Sequence, residues 1–198
     1  MKVRKIVLAS RNEGKLREFK ALLSPLGWEV IPLTSYPDLP EIEETGETFA
    51  ANALIKARTV AFYTGEVALA DDSGLEVDYL EGAPGVRSAR FAGRQGDDAA
   101  NIALLLKLME GVPWEKRKAC FRCVIAVVTP EGKEYLAEGT VEGYILEEPR
   151  GKGGFGYDPV FYLPEYGQTF AELPLEVKNQ ISHRARALAK IKEILRVY

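Results

Sequence analysis

A short apolar run at 5–9 is followed by Leu16, Phe19, Leu22, Leu23 and Leu26 at the spacing of an amphipathic helix. Between them, Ser10-x-x-Glu13 has the form of a capping box, so the spacing predicts strand, polar turn and helix start in that order. A second strand is predicted at 28–32, and the polar, proline-rich stretch 34–48 reads as loop. A second helix spans about 47–63 and sets Asn52 and Lys56 one turn apart on one face. The apolar run 67–70 predicts a short buried strand ending in Asp71-Asp72-Ser73-Gly74. Residues 82–93 form a glycine-bearing loop with Arg87 and Arg90. Asp97 caps a helix to about Met109, with Ile102, Leu105, Leu106 and Met109 inward. Two long strands at 119–129 and 134–145, joined by Pro130-Glu131-Gly132-Lys133, predict an antiparallel hairpin. A further strand is expected at 160–163. A final helix opens at Ile181-Ser182-His183-Arg184 and turns Ala185, Leu188, Ile191 and Leu195 inward.

Composition narrows the class. The 198 residues suffice for one large domain or two joined lobes with a real core. A hydrophobic share of 46% and a charged share of 28% are ordinary for a globular chain. The net charge of −3 offers no basic field for nucleic acid. No run approaches the roughly 18 apolar residues of a membrane span. Met1-Lys2-Val3-Arg4-Lys5 leads directly into the first strand without a signal-peptide core, so a cytoplasmic location is the default expectation. Cys120 and Cys123 lie in a predicted strand, where period-two geometry turns them to opposite faces. With no second pair to complete a zinc site, they read as reduced structural residues.

Four places carry candidate chemistry. Gly151-Lys152-Gly153-Gly154-Phe155-Gly156-Tyr157-Asp158-Pro159 sets aromatic rings in a glycine-dense loop, which suits a flat ligand and equally suits a surface turn. Its G-x-G-x-x-G spacing is not a dinucleotide fingerprint, because the loop feeds a strand and opens no helix. The turn at 10–15 precedes a helix N-terminus, where backbone N–H groups and the helix dipole attract anions and Lys15 can assist. A capped helix with a solvated lysine would look the same. Asp71 and Asp72 at the end of a buried strand lie where open α/β sheets bind ligands, and paired carboxylates there suit magnesium. An acidic turn is the plain alternative. His183, the only histidine, forms a donor pair with Arg184 or serves the helix start.

Taken in series, seven segments resemble one family. They are Ser10-Arg11-Asn12-Glu13-Gly14-Lys15, Glu43-Glu44-Thr45-Gly46, Asn52-Ala53-Leu54-Ile55-Lys56-Ala57, Ala70-Asp71-Asp72-Ser73-Gly74-Leu75, Gly82-Ala83-Pro84-Gly85-Val86-Arg87-Ser88-Ala89-Arg90, Gly153-Gly154-Phe155-Gly156-Tyr157-Asp158-Pro159 and Ile181-Ser182-His183-Arg184. The chain resembles the inosine triphosphate pyrophosphatases, which act on non-standard purine nucleoside triphosphates. The match runs in order along essentially the whole chain; Arg11 stands where relatives often have glycine. The resemblance implies an α/β fold: an elongated mixed β-sheet flanked by helices, in two lobes with an active-site cleft between them. It implies a single catalytic domain over 1–198. It also implies magnesium-dependent hydrolysis of ITP, dITP and XTP to monophosphate and pyrophosphate by a cytoplasmic homodimer.

Under that resemblance, Asp72 is the expected general base and shares a metal-ligand role with Glu43, Glu44 being the neighbouring candidate. Asp71 supports the site electrostatically. Ser10, Arg11, Asn12, Glu13, Gly14 and Lys15 cradle the triphosphate, Lys56 adds a point charge, and Ser73 and Lys178 join the substrate set. Phe155, Gly156, Tyr157 and Asp158 form the base site, with Phe155 stacking on the purine. His183 and Arg184 donate to the C6 keto oxygen that adenine lacks, and Asp158 accepts a ring N–H. A site with polar groups so placed rejects the mismatched base by up to about 10⁴–10⁵-fold. Three rivals remain: a pyrophosphatase for pyrimidine nucleotides, a nucleotide-binding regulator without turnover, and an RNA-binding module, which the acidic balance disfavours.

Overall fold

The computed structural model describes residues 3–198. Met1 and Lys2, expected in the run leading into the first strand, lie outside the described residues. Strand β1 (Arg4–Leu8) pairs in parallel with β2 (Trp28–Ile31), Ile6 opposite Val30, and with β3 (Val67–Val77), Val7 opposite Ala68. Parallel neighbours require crossovers. Helix α1 (Glu13–Leu23) and helix α2 (Phe49–Thr64) lie in the connecting segments. Helix α3 (Asp98–Leu108) precedes the hairpin of β4 (Lys118–Val128) and β5 (Glu134–Ile145). Strands β6 (Phe161–Leu163) and β7 (Gln168–Thr169) add antiparallel ladders, giving a mixed seven-stranded sheet in the order β2-β1-β3-β4-β5-β6-β7. Helices α4 (Leu175–Ile181) and α5 (His183–Val197) close the chain.

The chain divides into two compact units. The first holds the residues to Asp72, Cys123–Glu138 and Arg184–Tyr198; the second holds Ser73–Arg122 and Gly139–His183. In the first unit, Ile6 and Leu8 of β1, Val30 of β2, Leu69 of β3 and the alternating Cys123, Ile125 and Val127 of β4 form one core. Phe19 and Leu23 of α1 and Leu188, Ile191 and Leu195 of α5 join it. Burial of such side chains contributes roughly 1.5–3 kcal/mol each. The second unit gathers Leu75, Val77, Leu105, Met109, Val141, Ile145 and an aromatic group, with Phe121 and Phe161 centroids 4.3 Å apart and Phe161 stacked on Phe170 at 5.3 Å.

Three local expectations are corrected. Asn12, rather than Ser10, caps α1: its side chain accepts from the Lys15 amide at 3.0 Å, while Ser10 Oγ accepts from the Asn12 amide at 3.1 Å. Strand β3 does not stop at Ala70 but continues to Val77. Asp71 is buried inside that strand because cations meet its side chain, so the polar residue does not end the ladder. The tail forms two helices instead of one, broken where Ser182 is extended at φ −61° and ψ 156°. Helix α4 went unpredicted because a seven-residue helix presents too few turns to set up a periodicity.

Candidate active site

Within the first unit, the segment 10–15 joins β1 to α1. Leu16 donates its amide to the Asn12 carbonyl, and the Lys15 amide is capped by the Asn12 side chain. Arg11, exposed, donates from Nη2 to the Leu39 carbonyl at 3.3 Å. Gly14 leaves room for that cap, since a Cβ there would crowd Asn12 Oδ1. Lys15, three residues past the cap, reaches back to Asp71 Oδ1 at 3.2 Å. Lys56 of α2 donates to the Asp71 carbonyl at 2.6 Å and pairs with Glu44 Oε1 at 2.7 Å. The turn at 10–15, Lys56, Asp71 and Asp72 are therefore brought together. Both candidate glutamates are exposed, and Glu44 is the one that pairs with Lys56.

Asp71 and Asp72 are neighbours in sequence and opposites in environment. Burial alone would raise the Asp71 carboxyl, but Lys15, Arg184 and Lys56 outweigh it and hold the group well below the usual carboxylate range. Arg184 donates from Nε to Asp71 Oδ2 at 3.2 Å and from Nη1 to Glu18 Oε2 at 2.7 Å, so α1, β3 and α5 meet at one ion network. Burial pushes Asp72 up to about 6; Lys56 opposes the shift, Glu44 adds to it, and a hydrogen bond from Asn52 opposes it. Among the described residues, Asp72 Oδ2 is buried without a hydrogen-bond partner. Two carboxylates pushed apart in this way are suited to two different tasks.

Among the described residues, no three His, Cys, Asp or Glu side chains cluster as a complete metal cage. A carboxylate pair without a cage suits a hard divalent cation that takes its remaining oxygens from water and phosphate.

In the second unit, the glycine loop presents Phe155, 42% exposed, with Lys178 Nζ 4.7 Å from its ring centroid. Asp158 Oδ2 accepts from Lys178 Nζ at 2.6 Å and from the Phe155 amide at 3.1 Å. Gly154, at φ +69°, must be glycine: a Cβ would run into the Asp158 carboxylate. Tyr157 is buried and donates its hydroxyl to the Ser88 carbonyl at 2.6 Å. His183 stacks on Phe121 at 4.9 Å. Phe155, Gly156, Tyr157, Asp158 and Lys178 thus form one group, in the same unit as His183, whereas Arg184 lies among the carboxylates of the first unit. Ser73 follows Asp72 in β3 and opens the second unit's residues.

Three residues of these groups had no role in the sequence reading, although Asn52 and Ser88 lie in segments it named. Glu18 sits three residues after Lys15 and next to the buried Phe19, so a carboxylate close to the inward face was the available signal. Asn52, buried, accepts from the Gly46 amide at 2.7 Å and also reaches Asp72; a buried amide on a helix that buries mostly small apolar residues was the signal. Ser88 accepts the Leu75 amide at 2.9 Å and carries the Tyr157 anchor on its carbonyl; its place in the segment 82–90 was the signal, and its partners are distant in sequence.

The model of the Ham1 family matches residues 6–194. The chain is 60% identical over 191 residues to the dITP/XTP pyrophosphatase of Desulforamulus reducens, covering 96% of this chain and 95% of that protein. It is 55% identical over 191 residues to the dITP/XTP pyrophosphatase of Geobacter sulfurreducens, covering 96% of each. Its fold is similar to that of a HAM1 protein from Coxiella burnetii, with TM-score 0.90 and 47% identity over 98% of this chain and 100% of that one. The Staphylococcus aureus Ham1 protein superposes with TM-score 0.88 at 41% identity, covering 97% of this chain and 98% of that chain. With a family model matched along nearly its whole length and full-length relatives above half identity, this chain belongs to the Ham1 family.

Proposed function

We propose that this chain is a nucleoside triphosphate pyrophosphatase that hydrolyses ITP, dITP and XTP to the monophosphate and pyrophosphate. The observation that carries the reading is the split between Asp71 and Asp72 beside Lys15 and Lys56 at the head of α1. Asp71 stays ionised and holds cations in place. Asp72, poised near neutrality with one oxygen unsatisfied, is the general base. It takes a proton from a water whose oxygen bonds to the α-phosphorus, while the α–β bridging bond breaks and pyrophosphate leaves. Lys15 and Lys56 donate to phosphate oxygens, and Ser10, Arg11, Asn12, Glu13 and Gly14 shape the turn whose amides face the same charge. No covalent intermediate is needed, because positioning and electrostatics dominate phosphoryl transfer.

Magnesium fits these residues: Asp72 would hold it with Glu43 or Glu44, Glu44 already lying beside Lys56. When bound, the ion supplies charge neutralisation along the triphosphate. Base selection falls to Phe155 for stacking, to His183 and Arg184 as donors to the C6 keto oxygen, and to Asp158 as acceptor for a ring N–H. Gly156, Tyr157 and Lys178 shape that site, and Ser73 follows the general base in β3. The names of the full-length relatives support this substrate class. The chain acts as one catalytic domain in a cytoplasmic homodimer, without nucleic-acid or membrane partners. Among the described residues, no helix is long and apolar enough to cross a membrane.

The test is a product assay with magnesium across ITP, dITP, XTP, ATP, GTP and pyrimidine triphosphates, separating pyrophosphate from orthophosphate. Pyrophosphate from ITP and XTP at rates far above ATP is the expected result. Tight ITP binding with no product would make the chain a nucleotide-binding regulator, and pyrimidine preference would move the base site to another chemistry.

A further inference from the structure

Two adjacent aspartates open α3 and face different partners. Asp97 is the N-cap, its side chain accepting from the Ala100 amide at 3.1 Å. Asp98, at the first helical position, reaches out of the helix: its Oδ2 accepts from the Gly156 amide at 3.0 Å, across 58 residues of sequence. The preceding amide, that of Phe155, is held by Asp158 from within the loop. Successive N–H groups on either side of the exposed Phe155 ring are thus each taken by a carboxylate, one belonging to the loop and one anchored on a helix. Gly156 sits at φ +59° with open space around a notional Cβ, so no side-chain packing restrains it. A loop with glycine at 151, 153, 154 and 156 loses much backbone freedom when it orders around a ligand.

We infer that Asp98 is a positioning residue for the purine base. It rests on the reading of Phe155–Asp158 as the base site given above. The charge-assisted hydrogen bond from α3 fixes the backbone at Gly156 in the conformation that holds the Phe155 ring ready for stacking. Without it the loop spends less time in that conformation, and apparent affinity falls in proportion to the lost population. The base is held alike in ground and transition states, so the effect belongs in KM and not in kcat. Because Asp98 is exposed and its charge screened, the expected size is modest, roughly three- to tenfold.

Steady-state kinetics with ITP and thermal melts on Asp98→Ala, Asp98→Asn and Asp97→Ala test this. Asp98→Ala should raise KM about three- to tenfold and leave kcat essentially unchanged. Asp98→Asn, which keeps an acceptor oxygen, should recover most of the parent KM. Asp97→Ala, which removes only the helix cap, should lower the thermal midpoint and leave KM unchanged. If Asp98→Ala does not fold, Asp98→Glu, with its acceptor displaced by one methylene, supplies the same comparison. A KM for the Asp98 variant indistinguishable from the parent overturns the role. So does an Asp97→Ala KM raised equally, since helix stability alone would then account for the effect. A parent that releases no pyrophosphate from ITP overturns the functional reading itself, which is a separate outcome.

Discussion

Asp71 and Asp72 differ by one peptide unit, yet the fold gives one three cations and leaves the other half-satisfied. Asp72→Asn keeps the shape and removes the proposed proton acceptor. Turnover of ITP should fall about 10²–10⁴-fold with the thermal midpoint near that of the parent. Activity within a few-fold of the parent would reassign the base. Arg184→Ala takes the guanidinium from buried Asp71 and half-buried Glu18, and breaking a buried pair costs about 3–5 kcal/mol. Chemical denaturation should show that loss, and kcat/KM measured on the folded protein should fall more for ITP than for ATP. Equal falls for both nucleotides would remove Arg184 from base reading and leave it the carboxylate partner alone. In the proposed reading Lys15 and Lys56 hold phosphates that every substrate shares, which Lys15→Ala and Lys56→Ala test. Both should weaken ITP and ATP alike; a changed ITP-to-ATP preference would place that lysine at the base.

At the scale of elements, the glycine loop and its anchors form the proposed site for the purine base. Gly154 has φ +69° and lies against the Asp158 carboxylate. Gly154→Ala therefore combines a left-handed backbone with a collision, a strain of about 1–3 kcal/mol. The denaturation midpoint should drop and KM for ITP should rise, because Asp158 can no longer hold both Lys178 and the Phe155 amide. A variant with parent-like stability and KM would show that the loop relaxes elsewhere. Helix α5 is fixed at its far end by Arg4 and Trp28, which donate to the Leu195 carbonyl at 3.0 and 3.1 Å. Its first turn carries Arg184 into the ion network, so the helix delivers a charge and fills a core at once.

For the whole molecule, each unit has its own apolar core, and among the described residues neither contains a metal cluster. With an apolar core in each unit, stability should be independent of the magnesium proposed for the chemistry. Chelation with EDTA should abolish pyrophosphate release and leave the circular dichroism spectrum and thermal midpoint unchanged; restoring magnesium should restore turnover. Unfolding on chelation would make the metal structural. The net charge of −3 agrees with a small anionic substrate captured by local cations and not by a global field.

The sequence by itself determined the alternation of strands and helices and the hairpin at 119–145, and its short motifs supplied the candidates for the site. Those features are written in local periodicity and in short motifs, and each needs only its neighbours along the chain. It missed α4 and β7, whose seven and two residues carry no period, and it ended β3 at Ala70 because a polar residue is a stop signal when its partners are out of view. Tertiary structure alone decided that Asp71 would be ionised and Asp72 raised, that Glu44 would lie beside Lys56, and that Arg184 would serve two carboxylates. Charge and desolvation act through space, so groups as distant in sequence as Glu18 and Arg184 set each other's state only once the chain has folded.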